Sequence, residues 1–172
     1  MLRATISSIA AMLFSCCQAA GSDIRRVVTG IDASNKSIAM FDDRLTLAPV
    51  PGGVSLANLW VTDSYPLGFS FKGDTTGKSV GISPPENGTQ LGVVEIPPLE
   101  PANAMQQPLW HRTRTVDYVV VISGEVDLML DNSVVHLKAG DTVVQQASNH
   151  AWVNRGKEVC RLLFVLMDAK QP

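Results

Sequence analysis

From Leu109 to Gln171 apolar and polar residues alternate in short bursts, each ended by a cluster of small or polar residues. A period of two, renewed after every break, is the pattern of half-buried strands. It predicts strands over Tyr118–Ile122, Glu125–Leu130, Val134–Leu137, Thr142–Gln146, His150–Asn154 and Val159–Met167. Ser123-Gly124, Asp131-Asn132-Ser133, Lys138-Ala139-Gly140-Asp141, Ala147-Ser148-Asn149 and Arg155-Gly156-Lys157 separate them, and these residue types accept tight or left-handed backbone at little steric cost. Strands this short and this closely spaced imply hairpins that close into a sandwich or barrel. No apolar pattern of helical period persists long enough to support a parallel α/β sheet.

The first half has a different texture. Nine of the ten prolines fall between Pro49 and Pro108. Arg25–Ile31, Val54–Val61 and Gly92–Ile96 read as strands, set among long loops such as Pro51-Gly52-Gly53 and Pro84-Pro85-Glu86-Asn87-Gly88. The expectation is therefore an all-β chain with a loop-rich N-terminal extension.

Composition narrows the function classes. The chain has 172 residues, 45% of them hydrophobic, which suits one domain with a sizeable core. Charged residues are 17% and the net charge is -2, so no basic excess exists to neutralise phosphates, and nucleic acid is not expected as a partner. Arg3, the apolar run Ile6–Phe14 and the small residues Cys17, Ala19 and Ala20 outline a signal peptide over residues 1–20, the alternative being a disordered leader. Cleavage there would mean secretion, and retention a cytoplasmic protein. No later stretch is long enough for a membrane-spanning helix. Loss of the leader would remove Cys16 and Cys17 and leave Cys160, which reads as a small buried hydrophobe in its apolar strand.

Candidate chemistry rests on His111, Asp117 and His150. Asp117, Val119 and Val121 share one strand face, and the valines mark it as inward. A carboxylate there is costly to bury unless a cation or hydrogen-bond donors meet it. His150, Trp152 and Asn154 likewise share a face, so neighbouring strands can bring His111, Asp117 and His150 to one barrel mouth, with His150 accessible to solvent. His136 reads as a structural or surface histidine. Arg112 and Arg114 point away from His111, which suits ion pairs or rim contacts, and Tyr118 and Glu125 face outward. Trp152 and Asn154 are expected to pack and to hydrogen-bond.

These residues resemble the cupin superfamily, whose two motifs are in outline Gly, five residues, His-x-His, three or four residues, Glu, six residues, Gly, and then Gly, five residues, Pro-x-Gly, two residues, His, three residues, Asn. His111 matches the first His, Asp117 the Glu, Gly124 the closing Gly, Gly140 the second opening Gly, and His150 with Asn154 the end, over residues 104–167. His-Arg-Thr-Arg-Thr-Val-Asp-Tyr, Ser-Gly-Glu, Ala-Gly-Asp and Asn-His-Ala-Trp-Val-Asn, with Ile-Arg-Arg-Val-Val-Thr-Gly near the start, resemble small one-domain cupins over residues 24–168. Fungal members of that group are similar to cupin-domain oxidoreductases encoded beside polyketide synthases. The resemblance implies a double-stranded β-helix, or jelly-roll, barrel. It also implies a divalent transition metal, iron first and manganese, nickel or zinc as alternatives, on His111, Asp117 and His150.

Departures from the outline matter. Thr113 stands at the second His, Asp117 replaces Glu, and the second motif is one residue short, with Gln146 and Ser148 at the usual Pro and Gly. Two imidazoles and one carboxylate remain, the ligand set of a facial triad. Three functions stay open. One is a metal-dependent oxidoreductase acting on an apolar aromatic or polyketide-like small molecule, with Val119, Val121, Val126, Leu128, Leu130 and Trp152 as interior residues. Another is a metal-free isomerase, decarboxylase or dehydratase using His111 and His150 as acid and base, with Asp117 orienting one ring. The third is a non-catalytic binding module. In resembling cupins, extended N-terminal segments lie across a partner's barrel, so a homodimer is expected.

Overall fold

The computed structural model describes residues 22–69, 73–78, 81–100 and 108–170. The expected leader over residues 1–20 lies outside them. Every regular element among the described residues is a strand. In chain order they are β1 (Asp23–Ile31), β2 (Ser37–Thr46), β3 (Ala48–Val50), β4 (Val54–Thr62), β5 (Thr89–Ile96), β6 (Thr115–Ser123), β7 (Glu125–Leu130), β8 (Ser133–Lys138), β9 (Thr142–Gln146), β10 (His150–Val153) and β11 (Cys160–Asp168).

The strands form a six-stranded sheet in the order β3-β4-β5-β11-β6-β9, a three-stranded sheet β10-β7-β8, and the separate hairpin β1-β2. All pairings are antiparallel. The two larger sheets face each other as the walls of a small jelly-roll barrel. Val119, Val121, Leu162, Phe164 and Ile96 from one sheet meet Val126, Leu128 and Leu137 from the other in a buried cluster. Strict alternation explains why: β6 reads buried at Thr115, Asp117, Val119 and Val121, while Tyr118 between them and Ile122 after them are exposed.

The cluster fills the barrel, as side chains do in barrels of this width. Val121 and Val126 are 1% exposed and Leu128 4%. Of the interior residues expected from the sequence, Val119, Val121, Val126 and Leu128 are therefore core, and Leu130 and Trp152 remain partly open at its edge.

A second small core lies on the outer face of the large sheet. Leu47, Ala57, Leu59 and Val93 pack there with Ile24, Leu45, Leu91 and Leu163, so the β1-β2 hairpin covers the β4-β5 side of that face. Arg26 locks the hairpin down. Its guanidinium, buried beneath the strands, bonds Asp43 at 2.6 and 3.0 Å, Asp74 at 2.8 and 3.0 Å and the Leu59 carbonyl at 3.1 Å. The polar strand β2 and the three-residue β3 escape the sequence reading, because Asp42-Asp43-Arg44 breaks the apolar alternation and Pro49 argues against a strand.

Between β6 and β7 the chain turns at Gly124, whose φ is +75°. A Cβ there would stand 2.7 Å from the Val159 carbonyl oxygen and 2.8 Å from Cys160 Cα, so only glycine lets β11 begin this close to the turn.

Candidate functional site

Two short backbone pieces carry the imidazoles. His111 lies outside the named strands yet forms an antiparallel bridge with His150, the first residue of β10. The two exchange both backbone bonds, His111 N–H to the His150 carbonyl at 2.9 Å and the reverse at 3.0 Å. Directly opposed residues project side chains to the same side, and here the ring centroids are 4.1 Å apart with planes tilted by 56°. The sequence-expected pairing of His111 with His150 is thus present.

Each ring is oriented in the same way. His111 Nδ1 lies 3.1 Å from the Leu109 carbonyl oxygen, and His150 Nδ1 lies 3.0 Å from that of Ser148, in both cases two residues earlier. A carbonyl oxygen only accepts, so each Nδ1 carries a hydrogen and donates it, and the neutral form of such a ring has its lone pair on Nε2. Burial, opposed by the Ser148 bond and reinforced by His111, holds the His150 pKa below its ordinary value. His150 is only 3% exposed, so the expectation of a solvent-accessible imidazole is corrected: the ring sits beneath the mouth, edge-on to Trp152 at 6.0 Å between centroids.

Asp117 stands lower on β6, 4% exposed. Desolvation raises its pKa above the usual carboxylate range, opposed by a hydrogen bond from Thr115 and by His111 nearby. Thr113 and Thr115 share a short hydroxyl contact of 2.6 Å on the same face, so the residue at the family's second-His position is turned onto its neighbour. Asp117 Oδ1 is buried and has no hydrogen-bond partner.

Gln145 completes the arrangement, and the sequence reading missed it. It opposes Asp117 directly in the β6-β9 register and is 4% exposed. Its amide nitrogen lies 3.3 Å from Asp117 Oδ2 and straddles the His150 ring, 2.8 Å from Nδ1 and 3.1 Å from Nε2. With Nδ1 already a donor to Ser148, the bond to His150 runs from the amide N–H to Nε2. The amide oxygen Oε1 is buried and unpartnered, like Asp117 Oδ1. The signal was available: Val143 and Gln145 alternate inward on β9 as Asp117 and Val119 do on β6, and an inward polar residue is informative wherever it occurs.

Among the described residues no three of His, Cys, Asp or Glu stand close enough to hold a metal ion by themselves. Between Asp117 and His150 stands the Gln145 amide. The donor chemistry still fits a divalent transition metal, since two neutral Nε2 lone pairs and a buried carboxyl with a free oxygen are all acceptors with one amide to satisfy them.

The remaining candidates fall where their residue types suggest. His136 is exposed and bonds Asp127 at 2.9 Å, and Arg114 pairs with Asp168 at 2.9 Å on the surface. Asn154 donates to the carbonyls of Ile96 and Glu158, both at 2.8 Å, and so ties β10 to the end of β5. Cys160 is fully buried and its thiol is pushed up to about 11, which makes it inert. Leu109 and Trp110, beside His111, are exposed apolar residues at the rim.

Comparison with known proteins agrees with this architecture. A model of the cupin domain family matches residues 93–166. Phomopsin biosynthesis cluster protein C' of Diaporthe leptostromiformis is 32% identical over 154 residues, covering 84% of this chain and 78% of its own. The cupin-domain-containing oxidoreductase virC of Hypocrea virens is 41% identical over 64 residues, 35% of this chain and 33% of its own. Among solved structures, a putative ethanolamine utilization protein q from Salmonella typhimurium superposes with a TM-score of 0.50 at 13% identity, covering 87% of this chain and all of the other, which supports the fold alone.

Proposed function

The chain belongs to the cupin family, and from that premise we propose that it is a small-molecule oxidoreductase of secondary metabolism whose site is the His111, His150 and Asp117 cluster. The observation that carries this reading is the shared orientation of the imidazoles: each Nδ1–H is fixed on a carbonyl two residues earlier, so Nε2 is the lone-pair atom of each ring, the one on His150 meeting the Gln145 amide. Relatives named as biosynthesis cluster proteins and cupin-domain-containing oxidoreductases support the substrate class, a fungal-type secondary metabolite. Leu109, Trp110, Leu130 and Trp152 give the rim an apolar lining that suits an aromatic or polyketide-like compound.

His111, His150 and Asp117 are the residues that would hold a divalent metal, with iron first and manganese, nickel or zinc as alternatives. A bound metal of this kind polarises a substrate oxygen or supports electron transfer. The chain's own part is to fix both imidazoles by their Nδ1–H bonds and to offer Asp117 as a buried carboxyl. Elemental analysis of protein purified without chelators tests the reading. Substoichiometric metal in the parent, unchanged in His111→Ala and His150→Ala, would remove it.

One observation favours a second reading without metal. The Gln145 amide already bonds both Asp117 and His150, so these two are linked without a cation. His111 and His150 then act as base and acid on an isomerisation, decarboxylation or dehydration. Turnover that survives exhaustive chelation would select it over the oxidoreductase.

A further inference from the structure

The amide of Gln145 occupies a place where an oxygen would serve a cation. Ligand atoms about 2.1 Å from one ion and at right angles to each other stand roughly 3.0 Å apart. The Gln145 amide nitrogen is 3.1 Å from His150 Nε2 and 3.3 Å from Asp117 Oδ2, so it stands from each at about the spacing of neighbours on one coordination shell. A nitrogen bearing two hydrogens is no ligand, but the oxygen at the other end of the same planar amide is.

That oxygen is the unpartnered one. Oε1 of Gln145 and Oδ1 of Asp117 are both buried without a hydrogen-bond partner, on residues that face each other across β6 and β9. Leaving a buried acceptor unmade costs about 1–3 kcal/mol, and such groups in native chains point to an ion, a water or a ligand. Turning the amide over exchanges the two ends without moving the side chain. The turned oxygen gives up the amide N–H bonds to His150 Nε2 and Asp117 Oδ2, which a cation held between those atoms would replace, and it shares with the Ser148 carbonyl the one hydrogen on Nδ1 at 2.8 Å.

We propose that Gln145 is a metal ligand of this site: its amide turns over so that Oε1 joins His150 Nε2 and Asp117 in binding a divalent cation, with His111 beside them. The assignment rests on the metalloenzyme reading above and extends it by one residue. It gives the chain a fourth protein donor in place of the imidazole that Thr113 replaces, drawn from β9 instead of from the first motif.

The test is calorimetric titration of Mn²⁺ into the full-length, metal-stripped chain for the parent, Gln145→Leu, Gln145→Glu and His150→Ala. Gln145→Leu keeps the volume and removes the donor, and should weaken Mn²⁺ by at least ~10-fold. Gln145→Glu keeps the reach and adds a charge, and should bind at least as tightly as the parent. Should Gln145→Leu fail to fold, the Gln145→Glu result decides, since weaker binding by that variant rejects an oxygen ligand at this position. Mn²⁺ binding that His150→Ala abolishes and Gln145→Leu leaves unchanged overturns the role of Gln145 alone. No Mn²⁺ binding by the parent overturns the metalloenzyme reading and this assignment together.

Discussion

Asp117 and Gln145 face each other across β6 and β9, and each buries one oxygen that has no hydrogen-bond partner among the described residues. The pair is the polar floor of a barrel that is otherwise packed with valine, leucine and phenylalanine. Such a floor is expensive for the isolated chain and useful for binding, the usual opposition of stability and function at a site.

Asp117→Asn makes that opposition measurable. Burial raises the Asp117 pKa, so its ionisation in the folded chain is a cost at neutral pH, fully present above the raised value and absent once the carboxyl is protonated in both states. The variant removes the charge. It should raise the unfolding midpoint of the metal-free chain at pH 7 by roughly 2–4 °C, about 1 kcal/mol at this size. The advantage should fade as the pH falls through the carboxylate range. Thermal scans between pH 7 and pH 3.5 check it, and a lower midpoint at pH 7 would contradict the burial account.

The Arg26 cluster titrates with the opposite sign. Arg26 holds the Asp74 carboxyl well below its ordinary value, chiefly by hydrogen bonding. Stability from a depressed carboxyl is present above the unfolded pKa and lost as the pH falls through the folded one. Arg26→Met leaves the hairpin without its buried cation, while Asp43 and Asp74 stay partly open to solvent. The expected loss is about 2–3 kcal/mol at pH 7, below the full range for a broken buried pair because the carboxylates can rehydrate. Urea titrations at pH 7 and pH 3 should show the gap between parent and variant narrowing in acid.

The barrel was legible in the sequence because its strands are inward-apolar and its turns are chemically marked, as at Ser123-Gly124 and Lys138-Ala139-Gly140-Asp141. His111 and His150 could be paired because each sits at the edge of such a pattern. What stayed hidden depends on register and tertiary packing. Gln145 meets Asp117 only once the β6-β9 pairing is fixed, and β2 is a strand because Arg26 and Asp43 bond across the hairpin, against its polar local pattern. The depth of His150 was likewise invisible, since His111 and Gln145 close on it from distant segments.

We propose that assembly uses the outer face of the large sheet. The β1-β2 hairpin covers its β4-β5 side, whereas Tyr118 and Val144, cross-strand partners on β6 and the edge strand β9, are half-exposed together with Ile122. An apolar face running to a sheet edge calls for cover, and a second copy of the chain is the expected occupant. Light scattering at micromolar protein should give twice the chain mass, and the double variant Tyr118→Lys, Val144→Glu should give a monomer with the parent's circular dichroism. A monomeric parent would remove the homodimer.

Thr113→His weighs the same opposition from the other direction. Thr113 is 5% exposed and its hydroxyl contacts Thr115 at 2.6 Å, so the site is closed and already satisfied without an imidazole. Forcing a larger ring into a packed interior costs typically 1–3 kcal/mol, and Thr115 loses its partner as well. The metal-free variant should therefore unfold earlier than the parent. With Mn²⁺ the order should reverse, because a neutral imidazole is a far better donor than a hydroxyl and restores the three-imidazole outline of the family around Asp117. Affinity should rise by about 10-fold or more. Turnover should not rise with it, since the new ring fills a coordination position that a substrate would otherwise take. Paired thermal scans with and without Mn²⁺ read both effects, and a variant that is destabilised and gains no Mn²⁺ affinity would show that Thr113 does not border the metal-binding space.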